Sequence, residues 1–231
     1  MALSWSFSRL GDFEKCRRMF MLKHIDRIPE PERVLKPGQT EFANDRGTRV
    51  HGNIEEYVRG DHDDLCPEAN KHFGLHIDLL RHLHADGMVI QEQEWAFDKE
   101  WEVTEWAKGW VRMKLDFLVH WSPTHATAGD WKTGRVYGNE VTHAQQLQLY
   151  AMSAFLRYPE LEVVTAADFY IDHGEITERS FTRSQSLRFR KSFTDRGLKV
   201  TESTKWPAAG NRWSCRWCPY KHTEHCDQGV D

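Results

Sequence analysis

Residues 110–133, WVRMKLDFLVHWSPTHATAGDWKT, constrain the fold of this chain most. β-Branched and aromatic residues alternate with polar ones on both sides of Ser122-Pro123-Thr124, and that pattern predicts an antiparallel hairpin. A turn centred on Pro123 puts Asp116 opposite Asp130 and Lys114 opposite Lys132. Side chains alternate with a period of two, so these four share one face while Leu115, Phe117, Val119 and Trp131 point to the other. Directly opposed carboxylates repel. Two readings compensate them: a divalent cation held between hard anionic oxygens, or a solvated face neutralised by its own lysines. The hairpin alone leaves both open.

The 231 residues are 39% hydrophobic and 29% charged, enough for one large globular domain with one core. No apolar run suits a membrane span, and the opening MALSWSFSRLGDFEKC has no apolar leader core, which points to a cytoplasmic protein. A net charge of -4 neither requires nor excludes a nucleic-acid partner, because phosphate binding needs only a local basic surface. Five cysteines are an odd number for a reducing compartment, and favour metal binding over disulfides wherever they cluster.

Hydrophobic spacing predicts helices over 8–25, 41–59, 71–85, 140–157 and 184–199, and strands over 88–97, 161–171 and 175–181 around the hairpin. Three prolines between Pro29 and Pro37 mark an extended connection, and 60–67 and 98–108 read as loops. On the helix over 41–59, Thr48, His51 and Glu55 share a face. On that over 140–157, Leu147, Ala151, Ala154 and Phe155 form an apolar stripe, with Gln146, Tyr150 and Ser153 on a separate polar one. There is no phosphate-binding GxxxxGK[ST] loop and no internal repeat.

Taken together, His51 in RGTRVH, Asp116 in KLDF, Asp130 and Lys132 in GDWKTG, and Gln146 with Tyr150 in QLQLY resemble the RecB-like PD-(D/E)xK nucleases in order and local context. The N-terminal SWSFSRLGDFEKC and the closing CRWCPYKHTEHC resemble the iron–sulfur subgroup, which includes the CRISPR-associated RecB-like exonucleases, the AddB nuclease domain and phage exonucleases. The resemblance implies an α/β fold: a restriction-endonuclease-like mixed sheet flanked by helices, with an iron–sulfur clasp joining the termini. It implies one nuclease domain over 1–231, in which 41–200 form the catalytic core and 1–28 with 206–231 the cluster region.

The implied activity is divalent-metal-dependent cleavage of DNA by an exonuclease of recombination or repair, bacterial or phage-encoded, with a helicase or recombinase as a further partner. His51, Asp116 and Asp130 would hold Mg2+ or Mn2+, the imidazole favouring manganese. Lys132 would orient the attacking water and stabilise charge on the phosphate, with Gln146 and Tyr150 reaching the strand or bracing Lys132. Glu55 and Glu94 are further metal candidates. Arg188, Arg190 and Lys191 read as a solvated helix face that could meet phosphates. Cys16, Cys215, Cys218 and Cys226 would ligate a 4Fe–4S cluster. The rival is a zinc knuckle of Cys215, Cys218, His222 and Cys226 in a non-catalytic single-strand-binding protein; it leaves Cys16 without a role. His222 or His225 could also replace Cys226, and Cys66 is a spare thiol.

Overall fold

A computed structural model describes residues 3–35 and 37–231; Met1, Ala2 and Lys36, the last within the predicted extended connection, lie outside the described residues. Five strands form one mixed sheet in the order β1-β2-β3-β4-β5: β1 Val89–Phe97, β2 Val111–Ser122, β3 His125–Lys132, β4 Val163–Tyr170 and β5 Glu175–Thr182. All neighbouring pairs are antiparallel except β3 and β4. That parallel pair needs a crossover, which is supplied by helix α5, Glu140–Arg157.

Both faces of the sheet are covered. Helices α3, Ala43–Arg59, and α4, Pro67–Ala85, pack Val50, Ile54, Phe73 and Ile77 against Phe117, Val119 and Trp131. On the other side α5 lies on Leu118, Ala126, Ala128, Val164 and Ala166. Small residues on the sheet and at Ala151 and Ala154 of the helix let the two layers approach closely. Consequently α5 has no wet side at its centre: Tyr150 is 5% exposed and Ser153 fully buried. The polar stripe expected there from spacing alone is therefore interior, which makes its hydrogen bonds matter more.

The hairpin register is that of a turn at Pro123, with Phe117↔Gly129, Leu118↔Ala128 and Val119↔Thr127. The ladder shifts between His120 and Ser122, so the tight turn and the main register differ by one residue. Gly129 is required by close approach, since a Cβ there would meet the Phe117 ring at 1.9 Å. That ring is wedged beside Trp131 and Phe169 and cannot retreat. Gly129→Ala should lower stability by about 1–3 kcal/mol, read as a fall in the urea midpoint with an unchanged slope.

The predicted helix over 8–25 is broken. Helix α1, Phe7–Lys15, ends at Cys16, whose backbone is extended (φ -163, ψ 116), and α2, Arg17–Phe20, continues into a wider π turn at Met21–Ile25. The break turns the Cys16 thiol to the C-terminal segment, where it accepts the Ala209 N–H. Helix α4 begins four residues before the prediction, with Pro67 in its first turn where a missing N–H costs nothing. The helix expected over 184–199 is two, α6 at Arg183–Leu187 and α7 at Arg190–Thr201, followed by α8 at Arg212–Cys215. Among the described residues no helix is long and apolar enough to cross a membrane.

Candidate active site

Four acidic residues cross the sheet in one row. Asp130 on β3 pairs with Asp168 on β4. Continuing the β2/β3 register beyond Phe117↔Gly129 brings Asp116 opposite Asp130. In the β1/β2 ladder, pairs stand on either side of Glu92 and Asp116 but not at them. Glu92 is there in the left-handed region, with φ at 49°. A glutamate held in that conformation is strained, and such strain collects where a side chain is aimed for a purpose. Here it turns the Glu92 carboxylate to Asp116 and to His51 of α3: one ligand atom from each lies within 4.8 Å of the other two.

Beyond Gly129 the two strands of the hairpin part, and Asp116 takes up what the ladder gives up. Its Oδ2 accepts the Trp131 N–H at 2.6 Å and lies 3.3 Å from His51 Nδ1. Helix α3 is anchored for this contact by Arg46, whose guanidinium reaches both Asp172 oxygens and the Thr133 carbonyl. The expected face-to-face pair of Lys114 and Lys132 does not form, because like charges separate when each has an acid within reach. Lys114 meets Glu92 on β1. Lys132 instead turns toward α5, with Nζ 2.5 Å from Asp130 Oδ2, 2.7 Å from Gln146 Oε1 and 3.7 Å from Asp168.

Gln146 and Tyr150 close a network around Asp130. Its Oδ1 accepts from Tyr150 Oη at 3.0 Å and from Gln146 Nε2 at 3.2 Å, while the same amide donates to Tyr150 Oη at 2.7 Å. Burial raises the Tyr150 phenol well above its usual value, and the neighbouring carboxylates add to that, so it remains a donor. Burial would depress the His51 imidazole, but the Asp116 hydrogen bond and the charges of Asp116, Asp130 and Glu92 outweigh it and lift it to about 9. Burial and the Asp130 charge push Asp116 up to about 6 against the pull of His51. Lys132 is likewise raised: its carboxylate neighbours overcome burial.

The sequence reading missed Glu92 and Asp168. Glu94, its candidate on β1, is exposed and pairs across the ladder with Lys114; Glu55 lines the groove but holds Arg59. Asp168 is fully buried, and neither of its oxygens has a hydrogen-bond partner. Burial, only partly offset by Lys132, raises it to about 7. A lone aspartate in the apolar run VVTAADFY was the available signal. Arg190 bonds the Glu100 carbonyl and Lys191 pairs with Asp195, both on the exposed surface.

Around one small void at the joined termini lie Cys16, Cys215, Cys218 and Cys226, whereas Cys66 belongs to the α3/α4 core. Trp206 stacks on Phe20, and Tyr220 donates to the Ile28 carbonyl at 2.7 Å, fastening the two ends together. Burial raises the Cys218 thiol, and the other three cysteines add to the shift. His222 is exposed and bonds Asp231.

A groove of about 440 Å3 opens over His51, Glu92 and Asp116, bordered by Gly47, Thr48 and Lys114. Hard oxygens with one imidazole suit a divalent cation of the Mg2+ or Mn2+ type, and a buried ammonium next to them can stabilise a phosphate. No curated protein matches the chain significantly. Among solved structures it is similar to SSO0001, at 14% identity over 86% of this chain and 91% of that one, with a TM-score of 0.35. It is also similar to a protein from Eubacterium rectale named only as a candidate exonuclease, at 12% identity over 89% of this chain and 84% of that one, with a TM-score of 0.46. The sequence model of the PD-(D/E)XK nuclease superfamily matches residues 4–223, and the chain belongs to that superfamily of metal-dependent nucleases.

Proposed function

We propose that the protein is a DNA exonuclease of the RecB-like, iron–sulfur branch, acting on single strands or duplex ends in recombination or repair. The observation that carries the catalytic part is the convergence of His51, Glu92 and Asp116 within 4.8 Å beside the Asp130–Lys132 pair. Those three, with Asp130, are the residues that would hold Mg2+ or Mn2+. Such an ion, when bound, polarises a phosphate and lowers the pKa of an attacking water. Lys132 orients the water and meets the charge that develops on the phosphate. Gln146 and Tyr150 fix the Asp130 carboxylate and hold Lys132 at the groove rather than touching the scissile bond. The test is digestion of end-labelled single- and double-stranded DNA with Mn2+, Mg2+ or a chelator. Degradation from an end that stops with chelator is the expected result; no cleavage by wild type with either metal would sink the reading.

The four cysteines around one void support a 4Fe–4S cluster as the clasp between 1–28 and 206–231, with 41–200 as the catalytic core. Zinc at about 2.3 Å from each ligand would bring the sulfurs to within about 4 Å of one another. Among the described residues no three cysteine or histidine ligand atoms lie within 4.8 Å of one another, which is not the compact set that zinc requires. The zinc-knuckle alternative also needs His222, which is occupied with Asp231. Protein purified without oxygen should be brown and carry about four irons per chain. Cys16→Ser should bleach it and loosen the termini; colourless protein with one zinc would reverse the assignment.

A further inference from the structure

A second groove, of about 480 Å3, runs on from the first: Lys114 lines both, and Gln146 and Tyr150 form part of its wall. Its opposite wall is the start of the chain. Trp5 is bridged to Val111 at the edge of β2, with its N–H on the Trp110 carbonyl and its own carbonyl on the Arg112 N–H. That bridge sets Arg9 of α1 beside Arg112 of β2. Neither guanidinium has a carboxylate partner among the described residues. Arg9 donates only to Ser4, and Arg112 to the Ala107 carbonyl while lying over the Trp106 ring at 5.4 Å. The Arg112 Nε is buried without a hydrogen-bond partner.

Two half-buried cations held side by side with no counter-charge repel each other. Burial and the Arg112 charge both lower the Arg9 guanidinium, which is the signature of a site lacking an anion. Arg46, Arg49, Arg59, Arg81 and Arg196 each hold a carboxylate. Arg9 and Arg112 instead stand together without one where the groove leaves the acidic row. Resting on the catalytic reading above, we infer that Arg9 and Arg112 bind the backbone phosphates of the substrate strand next to the scissile one, so that the strand enters or leaves between α1 and the Trp106 turn. A planar guanidinium suits a phosphate held by two parallel bonds, and Trp106 keeps that of Arg112 extended into the groove.

The experiment measures binding of a labelled single-stranded oligonucleotide to the full chain, in chelator, across a salt titration, so that it does not depend on cleavage. Each phosphate contact contributes about 0.7 to the slope of log affinity against log salt for a single strand. Arg9→Gln and Arg112→Gln should each weaken binding roughly tenfold at low salt and flatten the slope by about 0.7, the double variant by about 1.4. Lys191→Gln, which removes an exposed charge already paired with Asp195, should leave the slope unchanged. Arg112→Lys keeps the charge and should keep the slope even if it loses affinity, which separates the phosphate contact from a folding role. Unchanged slopes in Arg9→Gln and Arg112→Gln, with wild-type melting curves, would overturn the groove. Wild-type protein that binds with the full slope yet cuts nothing with Mn2+ would overturn the catalytic reading and leave the groove standing.

Discussion

Lys132→Ala should lower metal-dependent cleavage by about 10²–10³-fold and, in metal-free protein, cost about 3–5 kcal/mol of stability, because it strips a buried carboxylate of its partner. The two effects have different causes. Lys132 and Asp130 are 15% and 9% exposed at their side chains, and Asp168, fully buried, has no other cation in ion-pair reach among the described residues. Removing the ammonium leaves two carboxyl groups facing each other across a parallel register. Asp168, already raised to about 7 with Lys132 present, must then keep its proton at the expense of the unfolded state's free ionisation. A purely neutralising lysine would be dispensable once the charge beneath it was also removed. Lys132→Ala combined with Asp168→Asn tests this. Stability should recover, since Tyr150 and Gln146 still donate to Asp130, while the rate at saturating Mn2+ should stay low. Recovery of both would reduce Lys132 to a counter-ion.

Local chemistry is what the sequence made readable. The hairpin pairing followed from one turn and a two-residue period, and α5 followed from its spacing to the residue, at Glu140–Arg157. Glu92 and Asp168 escaped for a shared reason: each reaches the row through a long-range register. Strands β1 and β2 are joined through the long 98–110 segment, whose length does not set a pairing, and β3 meets β4 in parallel only after α5 has crossed over. Choosing between Glu92 and Glu94 also depended on the left-handed residue at 92, and a glutamate gives no warning of such a conformation. The break at Cys16 was hidden similarly. Its neighbours are good helix formers, and what interrupts them is a contact with residues nearly two hundred positions away. Where tertiary contact overrides local preference, the exceptions gather at the groups that carry chemistry.

Metal-free protein should lose stability steadily as pH rises from about 4 to 9, and Mn2+ should stabilise it more the higher the pH. Asp168 and Asp116 ionise near 3.8 in the unfolded chain but hold their protons to about 7 and about 6 in the fold. Their folded forms thus bind more protons over that interval, and stability falls as pH climbs through it. His51 acts in the same direction: raised to about 9, it contributes stability fully below about 6.5 that is gone above about 9. A divalent ion needs the same groups deprotonated, so its binding competes with protons and strengthens with pH. At a hundredfold excess over its dissociation constant the ion adds about 2.7 kcal/mol, or a shift of roughly 5–10 °C for a chain of this size. Melting curves at pH 5.5 and 8.5 should therefore show little manganese shift at the lower pH and most of it at the higher. Asp168→Asn should flatten the metal-free decline between about pH 4 and 7 yet keep the manganese shift, because Asp168 faces Lys132 rather than His51. Glu92→Gln should do the reverse, leaving the decline between about pH 4 and 7 and losing most of the shift. A full manganese shift in Glu92→Gln would remove that residue from the metal site and leave the ligand role to His51, Asp116 and Asp130.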